Sequence, residues 1–438
     1  MKKFTAFCGL VMAFCCFLFA GCSNLSMPSN NIITSNEGIA TQVGEYLYFA
    51  NAYSDKTLVR GDNETNSVKE HSLYRTKLVD GNIELDEDGK DKNLEKVLSK
   101  IVAFDKSKTF VSGDYLYFTS PNTLLTKENE TRFDLTALFR VKLDGSGLND
   151  IYTTESATSS FEYRTIAGKD YCFIRDGEKL VRIELGTNEK KELVDDLTGV
   201  AIDYNGDKIV AYYTSAREDS QAGNILNKVD VMSGTKTVVD DVIGNTYTLN
   251  MLADGVLYYT KSTTSLKAYY YYNDFSQGLN SEKSLIYATK INDFKYVGET
   301  ALGGQVVSYI FENQLNIVVI NDSYYTSTQL TESTDTYGTI KNVIFTNEEY
   351  TYFLASNGVY RVDYKTGLAE KVSGSTDVKI DLCDIVGNYF YYYTKAENNT
   401  TGTYYLHRVS LAEAGEAEIE AMCIAQLLEA DMEKEEQT

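Results

Sequence analysis

The chain has no tryptophan, two prolines, two histidines and seven cysteines in 438 residues. So little proline excludes Pro-rich disordered linkers. With only His71 and His407, there is no HExxH metalloprotease helix. Four of the cysteines (Cys8, Cys15, Cys16 and Cys22) lie at the extreme N-terminus. The other three, Cys172, Cys383 and Cys423, stand far apart without CxxC spacing, which excludes a zinc ribbon and a disulfide framework. They read as buried apolar thiols. Basic residues are also short: 41 against 63 acidic, a formal charge of −22. Such a surface repels phosphate backbones and anionic lipid, so nucleic acid is not an expected partner, and any membrane attachment has to be covalent or hydrophobic.

What the chain has in abundance is tyrosine, 35 residues, with 19 phenylalanines beside them. Tyr, Phe, Val, Ile and Thr favour pleated, half-buried strands. The stretch GDYLYFTS (113–120) is written again as GEYLYFAN (44–51). Looser copies are KDYCFIRD, GDKIVAYYT, DGVLYYTK, EYTYFLAS and GNYFYYYT. Each copy has one grammar. An apolar-alternating segment leads to a turn pair, an aromatic strand follows, and after a loop comes a second strand with basic–apolar alternation. That later strand is LYRTKLVDG (73–81), LFRVKLDGSG (138–147), LVRIELGT (180–187), LIYATKIND (285–293), VYRVDYKTG (359–367) and LHRVSL (406–411). Weaker forms are ILNKVDVMSG (225–234) and YYTSTQL (324–330). The period of two is the strand signature: Val181, Ile183 and Leu185 face one way, Arg182 and Glu184 the other.

The aromatic strands begin near Tyr46, Tyr115, Tyr171, Lys208, Val256, Leu315, Tyr350 and Tyr389, at spacings of 69, 56, 37, 48, 59, 35 and 39 residues. The shorter spacings approach the roughly 40–50 residues of a four-stranded propeller blade, and the longer ones hold insertions. A small sheet alone leaves both faces wet and both edges open, whereas radial packing buries the faces and shortens the edges. The sequence therefore predicts an all-β chain, a single β-propeller of about eight four-stranded blades over 39–420, its tyrosines pressing an inner aromatic strand of each blade on its neighbours. Residues 421–438 read as an acidic tail or short helix, with AEIEAMCI (417–424) offering an outer strand for the last blade.

DGVLYYT (254–260), ALFRVKLDG (137–145) and GVYRVDYKTG (358–367) carry a resemblance to the TolB-like family of bacterial propellers, in which a turn with Asp-Gly precedes an apolar strand. The family's usual Trp before that turn is missing here, so the resemblance implies architecture and no activity. The N-terminus, MKKFTAFCGLVMAFCCFLFAGC, sets two lysines before an apolar run of about 17 residues and then Gly21–Cys22. It resembles a bacterial lipoprotein signal. That resemblance implies cleavage after residue 21, diacylation of Cys22, a tether over 22–38, and anchorage on the extracytoplasmic face of a bacterial cell membrane. Two acyl chains make a stable anchor.

Insertions follow the aromatic strand at 51–70, 119–136, 214–223, 260–283 and 395–403. Long loops on a rigid scaffold are where binding concentrates. KAYYYYNDF (267–275) is the most suggestive: Tyr269, Tyr270, Tyr271 and Tyr272 could present an exposed aromatic platform to a glycan or peptide. LDEDGKD (85–91) has the look of a calcium loop but lacks the distant bidentate Glu, and reads as an acidic turn. No GxSxG elbow, no GxxxxGK[ST] phosphate loop and no Ser-x-Asp-x-Gly-x-x-Trp repeat is present.

These readings lead to an expected non-enzymatic binding or scaffold propeller for protein, peptide or glycan, without metal or cofactor. The alternative is a glycan-active hydrolase or lyase with a carboxylate pair at the channel mouth, since paired acids leave no trace among 63.

Overall fold

The computed structural model describes residues 25–424 except 51, 55–72, 99–101, 103–107, 122–134, 203–209, 219–220, 254, 264–268, 274–282, 287–291, 300–304, 312–313, 321–324, 331–336, 348, 364–365, 396–402, 417–418 and 420. Among the described residues there are eight antiparallel sheets, taken in chain order, and one 3₁₀ turn at Leu411–Glu413. Blade three shows the plan. Its strands Ser159–Ile166, Lys169–Asp176, Lys179–Glu184 and Glu189–Val194 pair consecutively, each with the next.

No apolar cluster is confined to a single sheet. One joins blades eight, one and two, through Val386, Leu47 and Val141 among others. Six more seal the junctions of blades two and three, three and four, four and five, five and six, six and seven, and seven and eight. Every neighbouring pair is thus glued, and the ring closes. Sheet faces meet sheet faces, as the cost of leaving them wet demands. The expected eight-bladed propeller is the fold found.

The aromatic strand is the second of its blade. Burial explains its composition. Tyr46–Ala50 and Tyr115–Pro121 are buried along almost every residue, because neighbouring blades cover both faces. First strands alternate instead, as in Ser159–Ile166 and Thr246–Ala253, because one face looks into the ring.

The tyrosine hydroxyls do specific work between blades. Tyr48 donates to the Leu143 carbonyl of blade two at 2.8 Å, Tyr117 to the Leu185 carbonyl of blade three at 2.9 Å, and Tyr393 of blade eight to the Ala50 carbonyl of blade one at 2.9 Å. The third-strand arginines lie over the first tyrosine of the preceding strand. Arg75, Arg140, Arg182, Arg361 and Arg408 stand 4.1 to 5.4 Å from the ring centres of Tyr46, Tyr115, Tyr171, Tyr350 and Tyr389. The basic residue of each LYRTKL-type strand is thus a cation stacked diagonally across the ladder.

Blades five and six depart from the sequence assignment. The third strand of blade five is Tyr269–Asn273, not the stretch 285–293. Lys283–Ile286 is the fourth, and Asn292–Glu299 opens blade six. In blade six the second strand is Gln305–Phe311 rather than one beginning near Leu315, and Tyr325–Leu330 is the fourth. Two uninterrupted apolar strands, QVVSYIF and QLNIVVI, adjoin here without a Gly or Asp-Gly turn to separate them. Counted from the observed strands, the spacings 256 to 305 and 305 to 350 are 49 and 45 residues, more even than the 59 and 35 of the sequence reading.

From Leu25 onward the expected tether is packed on the propeller. Arg75 donates to the Ser26 carbonyl at 2.6 Å, the Ser29 hydroxyl to Glu45 at 2.6 Å, and Asn31 to Asp114 at 2.7 Å. Ile33–Ser35 pairs with Ala40–Val43. At the other end, Met422–Cys423 pairs with His407–Arg408 of blade eight. Ala52–Ser54, from the start of an insertion in blade one, pairs with Thr403–Tyr405 on that same strand. The outer position of blade eight is therefore shared between the C-terminal strand and a segment of blade one. His407 sits in this sheet half-buried and stacked on Tyr392, 5.7 Å between ring centres, rather than exposed.

Candidate functional site

Because the first strands alternate, the side chains they turn inward meet at the axis. A cavity of about 820 Å³ opens there, within the usual size of ligand pockets, and all eight blades line it. Its wall has two halves. Blades eight, one, two and three supply Asp381, Asp384, Glu37, Lys108, Glu162 and Arg164. Blades four, five and seven supply Val200, Ile202, Met251, Phe345 and neutral amides such as Asn250 and Asn347. Blade six contributes Lys295.

Glu37 reaches across blade two to blade three, whose Tyr163 amide and Arg164 Nη1 both donate to its Oε1 at 3.4 Å. The reach depends on local backbone. Blade two's first strand is only Phe110–Ser112, and Gly38 bridges Thr109 directly. Glu37 itself has φ of 60°, the left-handed region that a glutamate rarely occupies. Arg164 is held further by Glu162 at 2.9 Å and by donating to the Tyr163 carbonyl at 2.5 Å.

Asp384 lies on Val378–Val386, whose register against the next strand shifts between Val378 and Cys383. Such irregularities re-aim side chains. Asp384 Oδ1 accepts from the Ile385 amide at 2.8 Å. Oδ2 is enclosed against Gly38, where a Cβ would stand 1.9 Å from it, and the Ile39 and Ala40 amides favour the ionised carboxylate. Gly38 is thus required by close approach between blades one and eight, and it seats Asp384 beside the residue next to Glu37.

Enclosure acts on both carboxyls. Burial raises Asp384 to about 6, against the opposing pull of Lys108. Burial also raises Glu37, helped by Glu162 and opposed by Arg164 and Lys108. Solvent still enters the channel, so both remain partly accessible while protein surrounds them. Cys383, on the same strand, is buried, and its thiol is pushed up by that burial.

Nothing in the sequence reading singled out these channel residues. The one signal was a charge inside the apolar-alternating segment before some of the aromatic strands, as in FEYRTIAG and KIDLCDIVG. Of the residues it did single out, Cys22 and His71 lie outside the described residues. Tyr269 to Tyr272 form a strand paired on both edges, with Val256–Ser262 and Lys283–Ile286, so their backbone is no free loop; their side chains also lie outside the described residues. In LDEDGKD, Asp86 Oδ1 accepts from the amides of Asp88 at 2.9 Å and Lys90 at 2.8 Å, closing its own acidic turn. Among the described residues no cluster of three or more His, Cys, Asp or Glu is placed to hold a metal ion, and no helix is long and apolar enough to cross a membrane.

No protein-family profile and no curated protein matches the chain. Solved structures do. Dipeptidyl peptidase 4 of Porphyromonas gingivalis is 9% identical with a TM-score of 0.51, over 90% of this chain and 60% of that one. An oligogalacturonate lyase of Vibrio parahaemolyticus is 11% identical with a TM-score of 0.44, over 82% and 97%. TolB of Acinetobacter baumannii is 11% identical with a TM-score of 0.33, over 86% and 82%. The chain spans 48% to 61% of the length of the peptidases it matches. The expectation of a non-enzyme does not survive the first of these matches: dipeptidyl peptidase 4 shares the fold and is an enzyme, so the architecture does not set this chain apart from catalysis. At these identities the likeness is one of fold and assigns no reaction.

Proposed function

We propose that this chain is a lipid-anchored extracytoplasmic propeller that binds a peptide or glycan in its central channel. One observation carries the binding site: eight first strands converge on a single cavity whose wall is charged on one half and apolar on the other. A purely structural ring gains nothing from charges turned toward its axis, since each costs desolvation. The anchor rests on the sequence ending in Gly21–Cys22.

The channel is tested by narrowing it. Met251→Trp and Ile385→Trp place bulk from two different blades. Peptides and oligosaccharides that raise the melting temperature of the parent should lose that effect in both variants. Binding that survives both substitutions places the site elsewhere. For the anchor, Cys22→Ala should release the protein from membranes; unchanged membrane fractionation removes the lipoprotein reading.

A second reading is favoured by Glu37 and Asp384, two carboxyls raised by burial and seated on either side of Gly38. A buried carboxyl that keeps its proton to about pH 6 can serve as the general acid that glycan cleavage uses. Release of new reducing ends from an oligosaccharide, lost in Asp384→Asn, supports it. Equal release by the variant removes Asp384 from the chemistry.

A further inference from the structure

The two halves of the channel narrow the choice between peptide and glycan, given that the channel is the binding site. On the side of blades eight, one, two and three, the carboxyls of Asp384, Asp381, Glu37 and Glu162 share one wall and outnumber the two cations beside them, Lys108 and Arg164. An ammonium group offers three donors and a positive charge, which suits such a wall. On the far side, Val200, Met251 and Phe345 give an apolar surface that a sugar ring, hydroxylated on its whole rim, would leave poorly matched. Lys295, from blade six, stands among these apolar and neutral residues and can take a carboxylate.

We infer that the channel takes a short peptide with a free amino terminus and an apolar side chain, the ammonium toward Asp384 and Glu37, the side chain toward Phe345 and Met251, and the carboxylate toward Lys295. An acidic sugar chain fits less well: it would bring like charge to the Asp384 wall. A neutral sugar would bring no charge to Lys295 or to the carboxyl wall.

The probes are Gly-Phe, N-acetyl-Gly-Phe, Gly-Phe amide, digalacturonate and cellobiose, titrated calorimetrically into the purified protein. Gly-Phe is expected to bind. Acetylation, which removes the positive charge, should weaken it about tenfold or more, and so should Asp384→Asn. Lys295→Gln should weaken Gly-Phe and leave Gly-Phe amide unchanged. Should Asp384→Asn fail to fold, Glu37→Gln, on a more accessible carboxylate, carries the same expectation. Acetylated and free dipeptide binding alike overturns the inference. So does digalacturonate or cellobiose binding while Gly-Phe does not, an outcome that leaves the channel itself standing as a ligand site. Silence from all five probes overturns the peptide assignment and counts against the channel as well.

Discussion

Arg75 and Tyr48 meet at one oxygen. Arg75 Nη1 donates to the Leu143 carbonyl at 3.1 Å, and the Tyr48 hydroxyl donates to it at 2.8 Å. Arg75 is wholly buried, yet its Nε keeps an ion pair with Glu95 at 2.8 Å and its stacking partner Tyr46 lies 4.1 Å away. Two side chains of blade one thus hold the end of a strand in blade two.

This arrangement predicts the cost of losing either. Tyr48→Phe removes one of two donors, and stability measured by urea unfolding should fall by about 1 kcal/mol. Arg75→Met strands the Ser26 carbonyl as well, and should cost about 1–3 kcal/mol. In the double variant Leu143 loses both donors, so the combined loss should exceed the sum of the two. Strict additivity would show that the two groups do not share that oxygen.

Gly38→Ala should disturb the channel from outside it. The new methyl meets Asp384 Oδ2 and the Ala40 carbonyl at distances no real contact shows. Asp384 must swing away or blades one and eight must part. The expected result is a lower melting temperature together with altered binding of channel ligands. Gly168→Ala is the control: it also strains the backbone, with φ of 75°, but its Cβ meets nothing within 4 Å. It should lose stability without changing binding. Equal binding by Gly38→Ala and the parent would disconnect Gly38 from the site.

Asp384 predicts a pH dependence with a definite sign. Its carboxyl titrates near 3.8 in the unfolded chain and at about 6 in the fold. Between these values the folded protein holds the extra proton, so its contribution is full below about pH 4 and is lost as pH rises through 6. Glu37, also raised, acts in the same direction. Asp384→Asn lacks this dependence. Relative to the parent, the variant should therefore be favoured more at pH 7 than at pH 4 in unfolding midpoints. A difference that stays constant between the two pH values rules the assignment out.

Closure of the ring can be probed at Ile424. Its amide donates to the Leu406 carbonyl at 2.9 Å, and its side chain is buried in the cluster that joins blades eight, one and two. Ile424→Ala should cost about 2–5 kcal/mol. Amide exchange should accelerate first in Thr403–Ser410, the strand on which the C-terminal strand and the blade-one segment both pair. Acceleration spread evenly over all blades would mean that closure is not the weak point.

Repetition made the propeller legible. A turn, an aromatic strand and a basic–apolar strand recurred, and only stacking of whole sheets buries both faces of segments such as YLYFA. Where the turn signal failed, between QVVSYIF and QLNIVVI, the strands of blade six were misplaced by one. Strand identity depends on which segment pairs with which, and an unbroken apolar run carries no mark of its partner. The tyrosines at 269–272 were ambiguous for a related reason: a run of aromatics reads equally well as a loop or as a strand with neighbours on both edges, and the backbone pairs as a strand.

The sequence alone determined the period, the strand type and the sign of the charge, because these follow from neighbouring residues and from composition. The tertiary structure decided which charges meet. Glu37, Lys108, Glu162, Arg164, Lys295 and Asp384 come from five different strand segments or their approaches, spread over some 350 positions. They share one cavity only because the ring turns every first strand and its approach toward the same axis, and no local pattern records that convergence.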